Sequence, residues 1–217
     1  MSSRFINGAK YAFSTTVAAP VAFSAVSNAA PPVLLASVTP NDGSIVIVNS
    51  GWTELNETVS RTSGEVDSVS FRLESADATD TVRYPPGEGT GTYAIASAFV
   101  AISQVRDVQT QGGEQQFFTY QHVEDQNGVQ RRVPTFKNAM GMDITMDFDS
   151  SLGWYASLIE LDRLRKPVVM RETLPNGDLI YYYGYLSFNK VPSHQLNENM
   201  TVKATFSLLC DPVRYDA

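Results

Sequence analysis

Between Val168 and Phe188 the chain carries two β-prone runs, Val168 to Leu174 and Leu179 to Phe188, on either side of Pro175-Asn176-Gly177-Asp178. Asn-Gly readily takes the positive φ angles of a tight turn, so the segment reads as a β-hairpin. A two-stranded hairpin is marginal alone in water, and the returning strand holds Tyr181, Tyr182, Tyr183 and Tyr185, which need cover. The fold must therefore extend this hairpin into a larger sheet. Two segments offer themselves. Met142, Ile144, Met146 and Phe148 alternate with Asp143, Thr145, Asp147 and Asp149, and Met200, Val202, Ala204, Phe206 and Leu208 alternate with Thr201, Lys203, Thr205 and Ser207. A strand with this period has one buried face and one wetted or interfacial face.

The spacing of Leu152, Tyr155, Leu158, Ile159 and Asp162 predicts one helix, capped by Asp149, Ser150 or Ser151 and ended by Pro167. Upstream, Asn41-Asp42-Gly43 marks a turn before the β-branched run Ser44 to Val48. Val69, Phe71 and Leu73 share a strand face from which Ser70 and Arg72 point away, and Tyr93 to Val105 reads as a strand with a bulge near Ala98. Arg106 to Lys137 is polar, holds a β-prone segment Phe117 to Val123 and a turn at Asn127-Gly128, and reads as a long projecting hairpin-like loop. Loops longer than ~15 residues usually have a task, which makes this one a candidate for contact with a partner. The first 35 residues carry small residues and prolines without a period and read as an extended arm that gains order on a neighbour. Residues 36–217 then form one β domain, within which residues 40–100 either join the main sandwich or make a small outward-facing β subdomain.

The residues that carry chemistry are sparse. Cys210 is the only cysteine, which excludes an internal disulfide, and a net charge of -7 with a pI near 4.8 argues against binding a nucleic-acid backbone. No apolar run reaches the ~18 to 20 residues of a membrane helix, and Pro20, Pro31 and Pro32 interrupt the Ala-rich stretch that could pass for a secretory signal. His122 and His194 stand far apart, outside any zinc spacing. Asp143, Asp147 and Asp149 would sit on one strand face, where neighbouring carboxylates about 7 Å apart could suit a glycosidase, but no pocket motif accompanies them. Gly87 to Gly91 lacks the Lys-Ser/Thr of a phosphate loop, and the Tyr181 to Tyr185 cluster suits an interface better than a sugar platform. No catalytic, cofactor or metal residue is assigned.

Taken in order, Gly112-Gly113-Glu114-Gln115-Gln116-Phe117 through Glu124-Asp125, Pro134-Thr135-Phe136-Lys137, Leu152 to Leu164, Leu174-Pro175-Asn176-Gly177, Tyr183-Gly184-Tyr185-Leu186-Ser187-Phe188 and the ending Ser207 to Tyr215 resemble the tail tube proteins of long non-contractile bacteriophage tails. The resemblance runs through most of the chain and is firmest after Gln104. It implies a mainly β fold, a β-sandwich or half-barrel with one flanking helix, a long projecting loop and an extended N-terminal arm. It further implies rings, usually of six subunits, that stack into a tube through which DNA passes without specific binding. Loop and arm would reach the adjacent ring, which makes Gln115, Phe117, Tyr120, Glu124, Asp125, Arg131 and Arg132 candidate inter-ring residues.

Asp143, Asp147 and Asp149 are candidate lumen-facing residues, since carboxylates repel phosphates over a Debye length of about 8 Å. By the same resemblance the partners are further copies of the chain and the tape measure, tail terminator and tail-tip proteins. The place of action is the virion tail, after assembly in the host cytoplasm. The competing readings are a secreted carbohydrate-binding or adhesin β-sandwich, a carboxylate enzyme, and a subunit of a contractile-tail or secretion-system tube.

Overall fold

The computed structural model describes residues 7–194 and 196–217. In chain order the strands are β1 (Lys10–Val17), β2 (Val21–Phe23), β3 (Ala25–Val26), β4 (Val33–Leu35), β5 (Ile45–Ser50), β6 (Thr58–Val66), β7 (Ser70–Leu73) and β8 (Gly91–Ile102). There follow β9 (Val105–Gln111), β10 (Gln115–Tyr120), β11 (Arg131–Lys137), β12 (Gly141–Asp147), helix α1 (Gly153–Leu164), β13 (Pro167–Thr173), β14 (Leu179–Asn189), β15 (Thr201–Leu208) and β16 (Val213–Tyr215). The chain is thus mainly β, with one α-helix among the described residues, as the sequence reading expects. One sheet runs in the order β3-β4-β7-β6-β5-β8-β1-β13-β14-β15-β12-β9, with β2 on β8 and β16 on β14, and β10 and β11 stand apart as a ribbon.

The hairpin at Asn176-Gly177 is present, with Val169 opposite Tyr183 and Thr173 opposite Leu179. Gly177 takes φ +93, the conformation for which glycine is suited there. Strands β13, β14, β15 and β12 then present Met170, Tyr182, Leu186, Phe206 and Ile144 to one core, which α1 fills with Trp154, Leu158 and Leu161. Phe13 of β1 meets Phe206 of β15 with ring centroids 5.5 Å apart, although β13 and β14 lie between their strands. Only a curled sheet brings them together, so this part is a half-barrel closed by the helix.

A second core lies under the β3-β4-β7-β6 end, around Phe23, Leu34, Trp52, Phe71 and Tyr93. A third, around Ile47, Val169, Tyr181, Tyr183 and Tyr215, lies on the other face of the sheet. Residues 40–100 therefore have a core of their own and are also hydrogen-bonded into the main sheet through β5 and β8.

Several expectations need correcting. Residues 10–17 are no arm: they form β1, paired with β8 on one edge and β13 on the other. Tyr11, Ala12, Phe13 and Ser14 are all buried, so this strand is covered on both faces and shows no alternation. Residues 1–6 of the expected arm lie outside the described residues. Ala98 departs from strand geometry at φ +52, yet the register with β1 is unshifted on either side of it, so this is a kink rather than an inserted residue. Val69 is exposed, while Phe71 and Leu73 are fully buried.

Helix α1 begins after Leu152 with no side-chain cap. Asp149 Oδ1 instead accepts hydrogen bonds from Ser151 N (2.9 Å) and Oγ (2.6 Å), closing a turn just ahead of the helix. The helix ends at Leu164 because Arg165 turns left-handed at φ 51, two residues before Pro167. The terminal strand β16 was not foreseen.

Candidate functional site

Strands β14, β15, β12 and β9 make a four-stranded surface whose two faces differ completely. Cross-strand pairs Leu186–Phe206, Met142–Phe206, Ile144–Ala204 and Ile144–Val108 point to the helix-filled core. The residues between them, Tyr185, Ser187 and Asn189, Thr201, Lys203, Thr205 and Ser207, Asp143, Thr145 and Asp147, and Asp107, Gln109 and Gln111, point the other way. A sheet face made of hydroxyls, amides and charges holds water rather than a hydrophobic partner.

The carboxylates on this face are not free. Lys203 Nζ lies 2.9 Å from Asp143 Oδ2, and Thr205 Oγ1 donates to Asp143 Oδ1 at 2.8 Å. The Lys203 ammonium, with Thr205 second, holds the Asp143 carboxyl below its usual range. Arg106 Nε stands 2.5 Å from Asp147 Oδ1 as an ion pair, brought to this face by the irregularity in the β9–β12 register beside Met146. Gln109 Nε2 donates to Asp107 Oδ2 at 2.7 Å. Three carboxylates (Asp107, Asp143, Asp147) thus stand with two cations (Arg106, Lys203), so the face is polar but nearly balanced.

Of the three aspartates singled out by sequence, Asp143 and Asp147 share the face. Asp149 lies past the end of β12, around one recess with Asp147, and the hydrogen bonds of Ser151 to its carboxylate lower its pKa. Lys203 was legible as part of an alternating strand, but its pairing with Asp143, and that of Arg106 with Asp147, joins separate strands that no local pattern connects.

The projecting ribbon holds all the loop residues expected to act together. Gln115, Phe117 and Tyr120 lie on β10, Glu124 and Asp125 in the turn, and Arg131 and Arg132 on β11. Its register sets Phe118 against Val133 and Tyr120 against Arg131. Phe118 stacks on Tyr120, with ring centroids 6.3 Å apart and planes at 13°, and the His122 ring meets Tyr120 edge-on. Every residue of β11 is exposed, as are Phe117 and Phe118, so the ribbon shows apolar side chains on both faces and has no core. Its base is tied by Gly113 N to Asn138 O (3.1 Å) and Asn138 N to Glu114 O (3.0 Å). Phe118, Val133 and Phe136 are exposed members that were not among the expected contact residues.

A phage tail tube protein model matches residues 50–217. The chain belongs to the phage tail tube protein family. The match takes in the polar face, the ribbon, α1 and the Asn176-Gly177 hairpin, and leaves β1 to β4 and all of β5 but Ser50 outside it. As a family member the chain is a structural component of a virion tail. No curated protein matches the sequence. Among solved structures, a chain of the virion of a native gene transfer agent particle is similar at 9% identity and a TM-score of 0.40, over 54% of this chain and 88% of that one.

Other sequence features take structural roles in this tail tube protein. Tyr181, Tyr182 and Tyr183 are buried, and burial pushes Tyr183 up to about 12. Only Tyr185 of the cluster is exposed, so these residues offer no aromatic strip for a sugar. Gly89 and Gly91 serve close packing: a Cβ on Gly89 would meet the Trp52 ring at 2.8 Å, and one on Gly91 would meet Asn49 O at 2.0 Å. Among the described residues no group of His, Cys, Asp or Glu is arranged to hold a metal ion, and no helix is long and apolar enough to cross a membrane.

Proposed function

We propose that the chain is a non-enzymatic subunit that closes into stacked, six-membered rings, with the polar face of β14-β15-β12-β9 lining a channel for DNA. The observation that carries this reading is a broad polar sheet face backed by a helix-filled core, on a member of the tail tube family. Asp143 and Asp147 belong to that lining and Asp149 to its rim. Because Lys203 and Arg106 already pair with the two wall aspartates, the wall resists adhesion chiefly by holding water on hydroxyls and amides, with a small net negative charge as a secondary term.

Ring closure has its means in the sheet edges. Strand β9 pairs only with β12, and β8 beyond Ala96 pairs only with β1, so among the described residues each leaves one edge without a strand partner. Exposed edges favour pairing with another chain, and an obligate interface of this kind buries on the order of 2,000 to 5,000 Å². Edge pairing between copies closes the ring, and the ribbon reaches the next ring through Gln115, Phe117, Tyr120, Glu124, Asp125, Arg131 and Arg132. Assembly takes place in the host cytoplasm, and the tube meets tape measure, terminator and tail-tip proteins.

Negative-stain electron microscopy of concentrated protein tests the reading, with hollow filaments of regular axial repeat as the expected result. With Cys210 replaced by Ser, a Thr145→Cys thiol in such tubes reacts with a small maleimide but not with one carried on a large dextran. Equal labelling by both places the polar face outside the tube and removes the lumen assignment.

A further inference from the structure

An open recess lies elsewhere on the chain, in a part that the tail tube family match only partly covers. Ala22, Phe23, Ser24, Leu35, Ala36, Ser37, Ser68 and Val69 enclose an open recess of about 520 Å³ beside the β4–β7 pair. Phe23 and Ala36 are its buried floor, while Leu35 (44% exposed) and Val69 (53%) stand at its rim, with Val38 and Val66 also exposed. Apolar side chains that gather around an open recess mark a surface for contact.

The surroundings of the recess are acidic. Ser68 N donates to Thr39 Oγ1 at 3.1 Å, Thr39 Oγ1 donates to Glu65 Oε1 at 2.9 Å, and Ser68 Oγ donates to Asp67 Oδ1 at 3.1 Å. Asp42 joins the group by accepting from Glu65 N. Arg72, beside Gly64, is the nearby cation, which leaves the surface with an excess of negative charge. The ribbon strands show the opposite sign. Between them β10 and β11 carry Arg131, Arg132 and Lys137 and no carboxylate, and Lys137 already faces Asp211 at 3.9 Å. Arg131 projects on the same ribbon face as Phe118, Tyr120 and Val133.

We infer that this recess receives the ribbon of a second copy of the chain, with Phe118 and Val133 against Phe23, Leu35 and Val69, and Arg131 beside Asp67. Two different surfaces that fit each other on one chain make a head-to-tail contact, which propagates into a ring or a stack instead of stopping at a two-fold dimer. The inference deepens the tube reading by giving the ribbon a receptor, and it rests on that reading only for the requirement that copies associate.

The test uses full-length protein with Cys210→Ser and single cysteines beside the contact residues. Thr119→Cys protein is mixed with Ser37→Cys protein and treated with a short bis-maleimide, with Val82→Cys, at an exposed position of another loop, as the control partner. A heterodimer several-fold above the control supports docking, as does its loss on Arg131→Glu and its return when Asp67→Lys is placed on the Ser37→Cys partner. A yield equal to the control, or one indifferent to charge reversal, overturns it. Microscopy of the same mixtures separates the two readings: tubes without the heterodimer overturn this receptor and leave the tube standing, whereas the heterodimer without tubes supports the receptor and counts against the tube.

Discussion

The four-stranded polar-faced sheet and the β10–β11 ribbon are joined directly in sequence through Gly112-Gly113-Glu114 and Asn138-Ala139-Met140, and both are antiparallel and rich in β-prone residues. One rests on a helix-filled core and the other on nothing within its own chain. Burial, rather than strand propensity, divides them: Ile144, Met146 and Phe206 are fully enclosed, while Phe117, Phe118 and Phe136 are more than half exposed. Sheet residues should therefore govern the stability of the subunit, and ribbon residues its association.

The largest effect is expected at Phe206→Ala. It removes a ring buried against Phe13 and should cost about 3–5 kcal/mol in denaturant unfolding of the unassembled subunit. A loss under about 1 kcal/mol would show that the half-barrel core repacks easily and would blur the contrast.

Next is Glu172, buried between two phenols: Tyr11 Oη donates to its Oε1 at 3.0 Å and Tyr182 Oη to its Oε2 at 2.6 Å. Glu172→Leu leaves both hydroxyls without their acceptor and should cost roughly 1–3 kcal/mol by the same measurement. The same region sets an alkaline limit. Burial first, and the Glu172 charge after it, raises the pKa of Tyr11, and burial with the Glu172 hydrogen bond raises that of Tyr182. A raised pKa favours the protonated form in the folded state. Stability from these groups is thus whole below the ordinary phenol value of about 10 and falls as pH rises above it. Thermal unfolding followed from pH 9 to 12 should show a decline that begins near 10.

A smaller effect belongs to the polar face. Asp143 has a lowered pKa, so its contribution is complete above the ordinary aspartate value of about 3.9 and is lost as pH falls through the lowered one. Asp143→Asn should cost less than about 1 kcal/mol near neutral pH and flatten the acid side of the stability profile. The smallest is Phe136→Ala on the ribbon, within about 0.5 kcal/mol of the parent, because the ring leaves no cavity behind. A larger loss would mean that the ribbon packs onto its own subunit in solution.

How much of this was legible follows the same division. The Asn176-Gly177 hairpin, the alternating strands around Ile144 and Ala204, the helix face of Leu158 and the projecting ribbon all carry their signal in local spacing. Strand β1 carried none, because Tyr11, Ala12, Phe13 and Ser14 are buried together and the period of two vanishes when both faces are covered. Its partners Thr173 and Ile102 are also far along the chain. The candidate wall was readable as a polar face but not as a neutralised one, since Asp143 meets Lys203, and Asp147 meets Arg106, only through sheet register. The turn that Asp149 makes with Ser151 just past the end of β12 was likewise not legible from the strand's alternation.

The closing of the sheet also has a consequence in time. Lys10 to Phe13 wait for Met170 to Thr173, and Arg61 N donates its 2.7 Å hydrogen bond to the hydroxyl of Tyr215, which also bonds Ser75. During synthesis β1 can meet β8 early, but its second edge waits until residue 173 has been made, and the hydrogen bond from Arg61 N to Tyr215, a member of the third core, waits for residue 215. Folding is therefore dominated by distant contacts of the kind that form slowly. The strands that meet last are those farthest apart in sequence, so the sheet is complete only when both ends of the described chain have come together.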